Sequence, residues 1–248
     1  MTMRLFVSTA LVADAELVLP EAAARHAMVR RVQPGTPLVL FDGGGSDWPA
    51  EVLSMGRSRV TVRVGQPLAV QRELALPVTV ALAMPANERM DLLVEKATEL
   101  GVAHIQPLHS ERSVLRLSGE RAQRKRMHWQ AIAQAACEQC QRAVVPRVAP
   151  VMALLDWLPH APAGQRWLLS LQAGAKPAPV LGLPDTALCM LSGPEGGFTA
   201  DEEAAARQAG FVAVDLGPRV LRAETAPLAV LSWLVLQCAA PDGRLNER

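Results

Sequence analysis

Residues 187–202 constrain the fold of this chain more than any other stretch. Ala187-Leu-Cys-Met-Leu191 is an apolar run with the length and character of a buried strand. Ser192-Gly-Pro-Glu-Gly-Gly-Phe198 follows, and Thr199-Ala-Asp-Glu202 then has the Thr-x-x-Glu form of a helix capping box. Strand, glycine-rich turn and helix in that order mark the place where α/β proteins bind ligands, outside the carboxyl ends of strands. A second turn, Leu216-Gly-Pro-Arg-Val-Leu-Arg-Ala-Glu-Thr-Ala226, also lies between a strand and a helix. Two such turns on one sheet can wall one cleft.

The turns do not suit phosphate. Neither a Gly-Lys-Ser/Thr nor a Gly-x-Gly-x-x-Gly pattern is present. Glu195, Asp201, Glu202 and Glu203 would repel a phosphate group. An uncharged or cationic ligand fits the first turn better. A Gly-x-Ser-x-Gly nucleophile elbow is absent too, which argues against a hydrolytic α/β enzyme.

Around these turns the chain reads in two parts. Up to about residue 72, short runs such as Arg4 to Ser8, Leu38 to Phe41 and Val60 to Val64 alternate with Pro/Gly turns. They predict a small β-barrel with one helix near Pro20 to Arg30. Gln66 to Leu76 reads as a linker. From residue 73 to 248 strands and helices alternate, which predicts a largely parallel sheet. Its strands are expected at Val78 to Ala83, Val102 to Pro107, Trp167 to Leu171, Leu188 to Leu191 and Val212 to Leu216. Helices are expected at Glu88 to Leu100, Gly119 to Arg142, after Thr199, and from Pro227 to Cys238.

With 248 residues, 50% hydrophobic and 20% charged, the chain has the composition of a soluble globular protein. No apolar run reaches membrane-spanning length, so a cytoplasmic location is expected. The net charge of +1 gives no global pull toward a polyanion. Any such site must be a local patch. Arg112, Arg116, Arg121, Arg124, Lys125, Arg126 and His128 form one basic cluster, and Arg25, Arg30 and Arg31 form another. Either cluster alone reads at least as well as a solvated helix face; two of them on a two-part chain, with Arg4 in the first strand, suit an RNA substrate if the chain carries a group-transfer site. Cys137-x-x-Cys140 has no answering Cys or His pair at zinc spacing, and both thiols fall on one apolar helix face with Trp129, Ile132 and Ala133. Core packing is the reading, and no metal is expected.

The two turns resemble those of the RsmE family. Arg25-His26 through Arg31, Leu40-Phe-Asp-Gly43, Glu95-Lys-Ala-Thr-Glu-Leu-Gly-Val102, Ser110-Glu-Arg-Ser113 and Ala135-Ala-Cys-Glu-Gln-Cys140 match family blocks in the same order. RsmE enzymes are 16S ribosomal RNA methyltransferases that act on N3 of a uridine. The resemblance implies an α/β fold of the SPOUT class: a knotted parallel-sheet methyltransferase domain over 73–248, preceded by a PUA-like β-barrel over 1–72. It also implies a homodimer, S-adenosylmethionine as cofactor, and 16S RNA or the small ribosomal subunit as partner. Leu191, Gly193, Glu195, Gly196 and Gly197 would line the cofactor pocket from the first turn. Leu216, Gly217, Leu221, Arg222 and Ala223 would line it from the second. Ala223 stands where the family commonly has Thr. Arg222 is the expected catalytic group, a permanent cation near the anion that develops on uracil. Glu195 and Glu224 are candidates for a base or for cofactor contacts, with His26 and His109 behind them. The competing reading is a non-catalytic RNA-binding or ribosome-assembly protein.

Overall fold

The computed structural model describes residues 2–86, 88–171, 175–178 and 182–238. The chain divides into two compact units. The first comprises residues 1–73 together with 134–145, and the second residues 74–133 and 146–248.

In the first unit, strands β1 (Met3–Phe6), β2 (Glu16–Val18), β3 (Pro37–Phe41), β4 (Ser46–Met55), β5 (Val60–Val64) and β6 (Leu68–Ala69) form one sheet. Its order is β1-β3-β4-β5-β2, with β6 paired to β4. β1 runs parallel to β3, and the remaining pairs are antiparallel. Val60, Val62 and Val64 are buried while Thr61 and Arg63 are not, the period-2 signature of a strand with one face on a core. Helix α1 (Glu21–Val29) closes that core with Ala23, Ala24 and Ala27. Three features were not legible beforehand. β4 is one ten-residue strand, since the bulge between Val52 and Ser54 keeps it paired with β5. β6 lies inside the stretch read as a linker. Residues 134–145 join the unit from far along the chain: the Glu138 carboxylate accepts from the Phe6 N–H at 2.9 Å, and the Arg142 side chain is paired with Glu73.

Arg4 corrects an expectation. The sequence places it among the RNA contacts, but its side chain is only 6% exposed. It pairs with Asp47 at 2.7 Å, donates to the Arg142 carbonyl at 3.2 Å and stacks over the Phe41 ring. Its charge is consumed inside the unit.

The second unit is a parallel sheet of order β10-β8-β7-β13-β11-β14-β12, with β9 paired to β8. The strands are β7 (Val78–Ala83), β8 (His104–His109), β9 (Arg147–Val148), β10 (Met152–Ala153), β11 (Gln165–Leu169), β12 (Lys176–Pro177), β13 (Leu188–Ser192) and β14 (Val212–Asp215). Every residue of β7 and β13 is buried, as expected for central strands covered on both faces. Helices α2 (Glu88–Glu99), α3 (Gly119–Cys140), α4 (Leu154–Trp157), α5 (Ala200–Gln208) and α6 (Thr225–Cys238) connect or follow the strands. α3 belongs to the second unit up to Ala133 and to the first beyond it. β14 sits between β11 and β12, strands that precede it in the chain. It pairs in parallel with both.

Cys137 is buried and donates to the Val144 carbonyl at 3.5 Å. Its hydrogen bond with Cys140 and its burial hold the thiol well above the usual range. Burial pushes Cys189 on β13 up to about 12. Burial thus disfavours the thiolate form of both. Arg4→Ala should destabilise the first unit by about 3 kcal/mol, because Asp47 would stay buried with Arg72 as its remaining partner. A urea-unfolding midpoint lowered at unchanged slope would confirm this, and an unshifted midpoint would contradict it.

Candidate active site

The carboxyl ends of three adjacent strands, β13, β11 and β14, open into one cavity of about 470 Å³. Residues 192–198 supply one wall, 169–171 the floor, and the segment after β14 the facing wall. The parallel register explains this convergence. Leu191 lies opposite Leu168 and Ser192 opposite Leu169, while Leu169 lies opposite Val214. All three strands therefore end at nearly the same level.

The first turn is fixed from below. Thr199 caps α5 by accepting from the Glu202 N–H at 3.2 Å, and Glu202 accepts in return from the Thr199 N–H at 2.9 Å. The other Glu202 oxygen accepts from the Glu111 N–H at 2.8 Å. Arg112 donates to the carbonyls of Gly196 and Phe198 at 3.0 and 3.3 Å. The glycines do specific work in this turn. A Cβ on Gly193 would sit 3.4 Å from both the Phe198 nitrogen and the Gly197 Cα. Gly197 has φ +67°, in the left-handed region that favours glycine.

The second turn is tied to the first. Ser192 Oγ donates to the Ala223 carbonyl at 3.3 Å. Gly217 N–H donates to Asp215 Oδ1 at 2.9 Å, closing the turn at the end of β14. Arg222 O accepts from the Thr225 and Ala226 N–H groups, which starts α6. Arg219 and Arg222 are exposed and both line the cavity. Two carboxylates, Glu195 and Glu203, line it as well. Glu203 is held by Ser170 Oγ at 3.0 Å and by Arg207 at 3.2 Å.

Of the ten expected lining residues, Gly193, Glu195, Gly196, Gly197, Leu216, Leu221, Arg222 and Ala223 border the cavity. Leu191 and Gly217 do not. Leu191 is fully buried in the apolar cluster under the sheet, and Ser192, one residue on, faces the cavity in its place. Gly217 shapes the turn without reaching the cavity. Arg112 was expected at RNA and instead braces the first turn while lining the cavity. His26 pairs with Glu138 at 3.1 Å in the first unit, and His109 lies outside the cavity lining. Arg25 and Arg124 are exposed and paired along their own helices with Glu21 and Glu120, and Arg30 and Arg31 are exposed. Ser170 has no signal in the sequence, while Glu203 and Arg219 stand out there only as parts of the two turns, without a lining role. The strand expected over Trp167 to Leu171 runs instead from Gln165 to Leu169, and nothing in Ser170-Leu171 announces a turn, so the floor of the site has no signal in the sequence.

Comparison with known proteins agrees with this geometry. Residues 72–235 match an RNA methyltransferase domain, and residues 19–65 match an RNA methyltransferase PUA domain. The chain is 33% identical over 94% of its length to ribosomal RNA small subunit methyltransferase E of a Synechocystis strain, covering 77% of that protein. It is 35% identical to the enzyme of that name from Mycobacterium tuberculosis, over 83% of this chain and 80% of that protein. The crystal structure of a ribosomal RNA small subunit methyltransferase E from Neisseria gonorrhoeae bound to S-adenosyl methionine superposes with a TM-score of 0.89 at 35% identity. It covers 94% of this chain and 97% of that one. A methyltransferase from Legionella pneumophila in complex with the same cofactor superposes with a TM-score of 0.91 at 32% identity, covering 96% and 98% of the two chains. From its matched domains and these relatives, the chain belongs to the RsmE family of ribosomal RNA small subunit methyltransferases.

Proposed function

We propose that this chain transfers a methyl group from S-adenosylmethionine to N3 of a uridine in 16S ribosomal RNA, acting on the RNA or on the small subunit. The observation that carries the reading is the cavity built by the turns that follow β13 and β14, the two strands on either side of β11. Its volume of about 470 Å³ lies within the range of small-molecule sites. Leu169, Val214, Leu221 and Ala226 give it apolar walls. The glycines of the first turn leave backbone open to close approach. Residues 193–197 and 216–223 would hold the cofactor, which supplies a sulfonium methyl group when bound.

The residues of the chain then act by orientation and charge. Methyl transfer needs uracil N3 in line with the methyl, so placement of both partners accounts for much of the rate. N3 must lose its proton, and negative charge develops on the base. Arg222 at the cavity rim is an always-charged group suited to stabilise that charge, with Arg219 beside it in the same turn. The target base would be presented unstacked, because N3 lies on its pairing edge.

RNA affinity would come from Arg25, Arg30 and Arg31 in the first unit and from Arg124 and Lys125 on α3. Arg25 and Arg124 are held only in exposed ion pairs with neighbours on their own helices, which are worth little and are readily exchanged for phosphate. On this reading residues 1–72 dock RNA and residues 73–248 carry the transfer, in a cytoplasmic homodimer. The knot belongs to the same reading, and the insertion of β14 between β11 and β12 supports it.

Mass spectrometry of 16S ribosomal RNA from a deletion strain, with and without this gene, tests the function directly. One uridine methyl group should vanish and return, and unchanged RNA would refute the proposal. Arg222→Ala should lower turnover by about a hundredfold or more with the melting temperature unchanged, as expected for loss of one transition-state cation. Wild-type turnover would remove Arg222 from the chemistry. Arg30→Ala with Arg31→Ala should weaken RNA binding for any sequence and flatten its salt dependence by roughly one unit of slope per arginine. An unchanged slope would take these residues off the RNA face.

A further inference from the structure

We infer that Arg89 is a positioning residue that ties the two turns of the cofactor cleft together from behind; the inference rests on the methyl-transfer reading above. Arg89 lies in the first turn of α2, distant in sequence from both turns. Its Nη1 donates to Glu195 Oε1 at 3.1 Å, and its Nε lies 3.9 Å from Glu224 Oε1. Glu195 belongs to the first turn and Glu224 to the second. One planar, permanently charged guanidinium thus engages a carboxylate from each wall. Arg89 itself does not line the cavity, so it acts through the walls and touches neither reactant.

The surroundings of the two carboxylates strengthen the assignment. Glu195 Oε1 also accepts from the Ala86 N–H at 3.3 Å, at the amino-terminal approach to α2. The helix dipole favours a negative charge there. Glu224 is 6% exposed, and its Oε2 is buried with no hydrogen-bond partner among the described residues. A buried carboxylate is costly unless paired. Arg89 is the cation within ion-pairing distance of it among the described residues. Without Arg89, Glu224 would turn toward water and carry Arg222 and Ala223, its near neighbours in the cavity wall, with it. The Ser192–Ala223 hydrogen bond is a second link between the turns and cannot neutralise that charge.

The test is calorimetric titration of the full chain with S-adenosylmethionine, paired with steady-state methylation of 16S RNA. Arg89→Ala should weaken cofactor binding by about tenfold and raise KM for the cofactor by the same factor, while kcat falls by less than about threefold. Arg89→Lys should recover part of the affinity, since it restores charge without the planar fork. Glu195→Gln should also weaken binding, and the double variant R89A/E195Q should lose less than the sum of the two singles, because both break one link. Wild-type affinity in R89A, or a loss confined to kcat, would overturn the inference and leave the methyl-transfer reading standing. Should R89A fail to fold, Glu224→Gln, which breaks the same link at a residue outside the cavity lining, decides in the same way. A wild-type chain that binds no S-adenosylmethionine would instead overturn the methyl-transfer reading itself.

Discussion

The pairing of β11 with both β13 and β14 is the constraint on which the site depends. Parallel strands in register end together, so whatever follows each of them shares one end of the sheet. β11 is the middle strand of the three, and the residues just beyond it form the floor between the two glycine-rich turns. Were β14 at the sheet edge beyond β12, the turn carrying Arg222 would lie a strand further from the turn carrying Gly193, and no single cavity would include both. The late insertion of β14 between earlier strands therefore creates the cleft, and the glycines refine a shape already set by topology.

Three carboxylates next to this cleft show how the sequence keeps negative charge from disrupting it. Glu202 is almost fully buried and accepts from two backbone N–H groups, one of them in the capping box. Glu203 is neutralised by Arg207 one turn further along α5 and oriented by Ser170. Glu195 turns its carboxylate toward α2 while its residue still borders the cavity. As a group these acids brace the walls. A general-base role for Glu195 would require it to leave Arg89 and the Ala86 N–H together, so bracing is the simpler account of its geometry.

Periodicity revealed most of the second unit, because its buried strands are continuous apolar runs flanked by helical patterns. Val78 to Ala83 and Val60 to Val64 fall where alternation or unbroken apolarity requires them. The two glycine-rich turns were legible for a local reason: Gly and Pro punctuate a chain wherever they stand. What escaped was everything set by distant pairing. β6, β9, β10 and β12 are two-residue strands whose existence depends on a partner, and two residues carry no period. The joining of 134–145 to the first unit rests on buried polar contacts by Glu138 and Arg142, which in sequence resemble any other charged residues on a helix. Sequence reading located the walls of the cavity and missed its floor for the same reason.

The arginines show why counting charges is a weak guide to a polyanion site. Arg4 and Arg142 are buried, each with a carboxylate partner, and hold the first unit together. Arg112 uses its guanidinium on two backbone carbonyls. Arg219 and Arg222 differ in kind: both are exposed at the cavity rim, beside an acidic residue, Glu224, whose own charge is directed at Arg89. A guanidinium already committed to buried acceptors cannot turn to a substrate without exposing them unpaired, which costs more than a new surface contact returns. The cations available for chemistry are those that folding leaves uncommitted. Burial and partnership select them, and a net charge of +1 is compatible with a strongly cationic rim at one end of one sheet.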